Sequence, residues 1–135
     1  MTVEMTFDAT GMVVSADAAR GSAQADVSVR TYAHSNYCSR CSMTEGSATL
    51  ASSAEHGGVP LPGDDTGPNA VVALTITAPP GVTLPAGWLH VVGAAFSRAA
   101  LSNESCPACE VLAGRAGSAS SSATVTLTQM TVSYA

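Results

Sequence analysis

Hydrophobic and polar residues alternate with a period of two along much of the chain. In residues 3–8, Val3, Met5 and Phe7 alternate with polar positions, which predicts a strand with one buried face. Ala9-Thr10-Gly11 predicts a turn after it, followed by a second short strand from Met12 that ends near Arg20-Gly21-Ser22. The chain therefore opens with short strands separated by turns.

The same alternation, or a short apolar run, predicts further strands downstream. Residues 94–101 fit a short helix as well as a strand, and residues 114–122 have the small side chains of a linker. The last strand changes parity near Thr128, which predicts a β-bulge there. The further predicted strands are 23–31, 47–51, 71–77, 88–96 and 123–134.

Residues 42–69 are the least regular part of the chain, and residues 56–69 within it are predicted to form a long loop. Three prolines and four glycines occur within these fourteen residues, which excludes a helix and a central strand. A loop of this length in a compact domain is usually functional or covered by a partner. We therefore expect this loop and the chain termini to contact a partner.

Seven to nine short strands with turns between them predict an all-β fold. The expected architecture is one antiparallel β-sandwich or jelly-roll-like domain over residues 1–135. Its core should be lean, because aromatic residues make up only 4% of the chain. A covalent or metal cross-link would add stability to such a core.

The four cysteines form two C-x-x-C pairs, and they are the only cysteines. Two such pairs can hold one tetrahedral zinc ion in a structural site, or they can form disulfides, in which case no cofactor is expected. Redox chemistry would need a helix after one of the pairs, and neither pair has a convincing one. The candidate metal-site residues are Cys38, Cys41, Cys106 and Cys109.

Other residues give weaker chemical signals, and we expect none of them to be catalytic. His34 lies near the first cysteine pair and could assist it, but a plain loop histidine is the simpler interpretation. His56 should face solvent, His90 should lie in a strand, and Trp88 should lie in the core. No zinc-protease or nucleophile-elbow motif occurs in the chain.

The charge of the chain limits its partners. The net charge is −5, and the five basic residues are all arginines without a basic cluster. We therefore expect no nucleic acid and no anionic membrane as a partner. The first residues lack the basic and apolar regions of a signal peptide, which predicts folding in the cytosol.

A Lys-free chain rich in Ser, Thr, Gly and Ala is typical of an exposed surface module. A cytosolic origin and an exposed surface together favour a virion component of a bacterial virus, assembled in the host cytoplasm. The expected function is that of a non-enzymatic structural protein, a capsid decoration or tail-associated protein that self-associates or joins a capsid or tail lattice. The alternatives are a secreted or cell-surface adhesion module with two disulfides, and an intracellular zinc-stabilised interaction domain.

Overall fold

A computed structural model describes residues 1–19, 21–34, 40–63, 65–82, 90–102 and 117–134 of the chain. The described residues form eight β-strands and no helix. Among them, accordingly, there is no helix long and apolar enough to cross a membrane. The strands are β1 (Thr2–Ala18), β2 (Ser22–His34), β3 (Ser42–Thr44), β4 (Ser47–His56), β5 (Val59–Leu61), β6 (Asn69–Thr77), β7 (His90–Ser102) and β8 (Gly117–Ser133).

The strands form two antiparallel four-stranded sheets that pack face to face. Sheet A has the order β3-β6-β1-β8, and sheet B has the order β5-β4-β2-β7. The chain passes from sheet A to sheet B after β1, where Gly21 adopts a φ of 68° that favours glycine. The predicted β-sandwich is confirmed.

The core lies between the facing rows of the two sheets. Alternate residues of β1 and β6 point inward from sheet A, and alternate residues of β2 point inward from sheet B. Among the described residues, Leu50 is the only leucine of sheet B in the buried core. The buried apolar cluster contains Val3, Met5, Phe7, Ala9, Val27, Val29, Ala33, Leu50, Ala70, Val72, Leu74 and Ile76.

The predicted turn at Ala9-Thr10-Gly11 is wrong. β1 continues through these residues, and its register against β8 shifts between Thr10 and Val13. Gly11 has a φ of 61°, so the local signal marks a β-bulge in a long strand and not a chain reversal. Glycine suits both features, which is why the sequence alone did not separate them.

The predicted loop 56–69 contains a strand of its own. β4 extends to His56, and β5 pairs back onto it as Ala54↔Leu61 and His56↔Val59. Gly57 and Gly58 both have positive φ, as a tight hairpin turn requires. Pro60 is tolerated because β5 lies at the edge of sheet B.

The C-terminal half of the chain is more extended than the sequence indicated. Residues 94–101 are part of strand β7, so the helical alternative is wrong, and residues 117–122 belong to β8 and not to a linker. The predicted bulge is confirmed, because Phe7 pairs with Leu127 while Thr6 pairs with Gln129. That register leaves Thr128 as the extra residue of β8.

Candidate functional site

Cys41 is the one candidate metal-site residue among the described residues. It lies immediately before β3, is half-buried and packs against the apolar core. Its sulfur is disulfide-bonded. Cys38, Cys106 and Cys109 lie outside the described residues.

The Cys41 sulfur can bind zinc or form a disulfide, but it cannot do both at once. Zinc binds thiolates, and a sulfur in a disulfide has no thiolate to offer. Within the described parts of the chain, no group of three or more His, Cys, Asp and Glu residues lies together in a way that could hold a metal ion. The four-cysteine zinc site therefore stays a prediction.

Two of the three histidines are neighbours in the fold, and His56 lies at the opposite end of sheet B. The backbones of His34 and His90 lie directly opposite each other, as the last residue of β2 and the first residue of β7. The side chains of these two residues, like Trp88, lie outside the described part of the structure. His56 is exposed at the β4–β5 turn, which confirms its predicted position.

The two sides of the sandwich end in very different edge strands. One side ends in β3 and β5, which are three residues long each. The other side ends in β7, with 13 residues, and β8, with 17 residues. Short edge strands protect a sheet against pairing with other chains, whereas long ones invite it.

β8 lacks the usual protection of an edge strand. It contains no charged residue and no proline along its whole length. From residue 126 to residue 134 every position is exposed, so neither face of this segment is covered. The large apolar side chains of the segment are Leu127, Met130, Val132 and Tyr134, which are between 44% and 78% exposed. We call residues 126–134 the open edge.

An apolar cleft lies beside the open edge, between the two sheets. Its volume is about 430 Å³. Val132 and Met130 pair with Val3 and Met5 of β1 in the register of sheet A, so they continue its inner face beyond the area that sheet B covers. The cleft is lined by Met1, Val3, Val91, Val92, Met130, Val132 and Tyr134.

The N-terminal half of β8 is closed by contacts with β7. The Ser97 hydroxyl lies 2.9 Å from the Ser121 carbonyl oxygen, and the Ser121 hydroxyl donates to the Arg98 carbonyl oxygen over 2.9 Å. These bonds link the two sheets at one point along their long edges. Only the second half of β8 is therefore open.

A second concave surface lies on the outer face of sheet B. It is polar, has a volume of about 280 Å³, and lies beside residues 61–63, which follow the β4–β5 hairpin. Hydrogen bonds from Thr66 to the Thr49 carbonyl oxygen and from Ser52 to Asp65 hold the next part of the chain against β4. We call this surface the polar hollow.

Comparison of the chain with protein-family models, curated proteins and solved structures finds no match. The function is therefore inferred from the chain's own residues. Sequence reasoning placed partner contacts in the loop 56–69 and at the termini, and it predicted a closing strand over residues 123–134 without placing that strand at a sheet edge. The sequence did carry a signal for the open edge. The last predicted strand has neither the charged residues nor the proline that usually protect an edge strand.

Stability should depend on the Cys41 disulfide. We expect Cys41→Ser to lower the free energy of unfolding by about 2 kcal/mol, because a cross-link restricts the unfolded chain. Urea unfolding without reductant measures this, with Ser42→Ala at the exposed neighbouring position as control. A reductant should remove the difference between wild type and variant. A stability loss caused by a chelator and not by a reductant would instead support zinc.

Proposed function

We propose that this protein is a non-enzymatic structural protein that assembles with copies of itself through the open edge of β8. The observation that carries the proposal is the combination of length, missing charge and two-sided exposure in residues 126–134. An unpaired strand edge presents a row of N–H and C=O groups that a second strand can pair with. The partner is a second copy, paired antiparallel across a two-fold axis.

Charge favours a copy of the same chain at this surface. Each copy has a net charge of −5, so two copies repel each other wherever acidic residues meet. The whole of β8 is uncharged, and its exposed side chains are apolar or neutral polar. A pair of β8 strands therefore brings no like charges into direct contact.

The assembly that we propose is a virion of a bacterial virus, with this protein as a capsid decoration or tail-associated component. Its support is the Lys-free composition, rich in small side chains, and a cross-linked, lean core. No residue has a catalytic role in this proposal, and no nucleic acid or membrane is a partner. The secreted adhesion module and the intracellular zinc-stabilised domain stay as alternatives.

One charge at the open edge should prevent self-association. We expect wild-type protein to be a dimer or higher oligomer by light scattering after size exclusion, and Met130→Lys to be monomeric. Met130 is 56% exposed in the middle of the open edge, and lysine has a similar length but a charge that an interface would bury.

The matched control is Met43→Lys. Met43 is 43% exposed in β3, at the opposite edge of the same sheet. This variant should keep the wild-type oligomeric state. A monomeric wild type at every soluble concentration, or equal effects of the two variants, would contradict assembly through the open edge.

The virion assignment has its own test. Genes for capsid, portal or tail proteins beside the gene for this chain, and the protein itself in purified particles, are the expected results. A secretion gene cluster without virion genes would contradict this assignment while leaving self-association untouched.

A further inference from the structure

The polar hollow contains hydrogen-bonding groups that the protein itself does not use. The side chains of Gln24, Ser28 and Thr49 line it, and none of them makes a hydrogen bond to another described residue. Together they offer an amide and two hydroxyls, which both donate and accept hydrogen bonds. Such groups are available to a polar ligand.

The charges at the hollow are already paired. Arg98 Nε lies 2.9 Å from Asp26 Oδ2, and Asp26 is only 15% exposed. The pair is fixed by the register, because Asp26 and Arg98 lie directly opposite each other in β2 and β7. A charged ligand would have to compete with this pair, so the hollow favours a neutral one that bonds to both groups.

Segment 61–63 closes one side of the hollow, and Gly63 makes this possible. A Cβ atom on Gly63 would collide with the Ser52 hydroxyl. Ser52 in turn donates to Asp65 Oδ1 over 2.6 Å, so the wall is held in place before any ligand binds. A pre-formed wall lowers the entropy cost of binding.

An exposed aromatic residue lies next to the hollow across the β2–β7 pairing. Phe96 is opposite Ser28 in the register of β2 and β7, on the same outer face of sheet B, and it is 45% exposed. Adjacent strands lie about 4.8 Å apart, so the backbone of Phe96 directly neighbours that of Ser28, which lines the hollow. The Arg30 guanidinium lies 5.5 Å from the ring centroid and fixes one side of it.

We propose that the polar hollow binds a carbohydrate. A sugar has neutral hydroxyls that donate and accept at once, which matches the mixed lining of amide, hydroxyl and paired charges. It also has an apolar C–H face, which matches the exposed Phe96 ring. A volume of about 280 Å³ accommodates one sugar ring, and the open side lets a longer chain extend over sheet B. This site is independent of the β8 edge and of the proposed self-assembly.

The test is an NMR titration of ¹⁵N-labelled protein with four separate probes: maltose, lactose, N,N′-diacetylchitobiose and inorganic phosphate. At least one sugar should shift the amide signals of Ser28, Phe96 and Arg98 in a saturable way. Gln24→Ala should lower the affinity for that sugar roughly tenfold, because the Gln24 amide makes its hydrogen bonds only to the bound sugar. Asn69→Ala, which removes an exposed amide at the start of β6 in sheet A, should leave the affinity unchanged.

Three outcomes would overturn the proposal. They are no saturable shift with any sugar, shifts that lie away from the hollow, and equal effects of Gln24→Ala and Asn69→Ala. Saturable binding of phosphate alone would identify an anion site at Arg98 and would also overturn it. None of these outcomes bears on the oligomeric state, so the two proposals fail separately.

Discussion

Leu74→Ala is expected to lower the free energy of unfolding by about 2–5 kcal/mol. Leu74 is fully buried in β6 and is one of the largest side chains in the core. Truncation removes its apolar contacts and leaves a cavity that the two packed sheets cannot easily close. Few large aromatic side chains are available to fill the space, because aromatic residues make up 4% of the chain.

The control for this prediction is in the same strand. Val71 of β6 is 63% exposed on the outer face of sheet A, and Val71→Ala should change stability by less than about 0.5 kcal/mol. Urea unfolding of both variants at one protein concentration, followed by circular dichroism, measures the difference. Equal losses for the two variants would mean that β6 does not face the core in the way described.

Gly46→Val is expected to destabilise the fold by more than about 3 kcal/mol. Gly46 lies where the chain passes from β3 in sheet A to β4 in sheet B. A Cβ atom on it would lie 2.7 Å from the backbone nitrogen of Ala73 in β6, and a backbone cannot move aside as a flexible side chain can. A branched side chain adds further atoms to the same collision.

The same crossing is held to sheet B by hydrogen bonds that continue the pairing of β2 with β4. The Thr31 backbone N–H donates to the Gly46 carbonyl oxygen over 2.8 Å, and the Gly46 N–H donates to Thr31 Oγ1 over 3.3 Å. Thr31 is the one buried polar side chain among the described residues, so displacing Gly46 leaves its hydroxyl without a partner.

Thermal unfolding of Gly46→Val and of Ser47→Ala measures this effect. Ser47 is exposed next to Gly46, and its truncation should be nearly neutral. Gly46→Val protein that unfolds at the wild-type temperature would contradict the close contact with Ala73.

Strand positions and the fold class could be predicted because a half-buried strand leaves a local signal. The alternation of Val3, Met5 and Phe7 follows from the pleat, and so does the change of parity at Thr128 that gives the bulge. Two kinds of local structure that favour the same residues could not be told apart from the sequence. Gly11 suits a turn as well as a bulge, and residues 94–101, with four alanines, fit a helix as well as an edge strand.

The candidate sites were far less predictable than the strands. The polar hollow needs Asp26 and Arg98 side by side, although they lie 72 residues apart in the chain. Gln24, Ser28 and Thr49 are ordinary surface residues until the pairing of β2 with β4 and β7 places them around one concave surface. Cys41 is disulfide-bonded, a state that the sequence offered beside zinc binding, and the pairing of the cysteines stays a prediction.

By itself the sequence determined that this protein is an all-β sandwich with a lean core, because period-two alternation and turn residues depend only on neighbours along the chain. It also determined the net charge and the uncharged composition of residues 117–133. Only the tertiary structure decided that these residues form a long edge strand. The alternation of β8 shows that one face is apolar, but whether that face is covered depends on the width of the opposite sheet. Sheet B ends at β7 and leaves Leu127, Met130 and Val132 exposed.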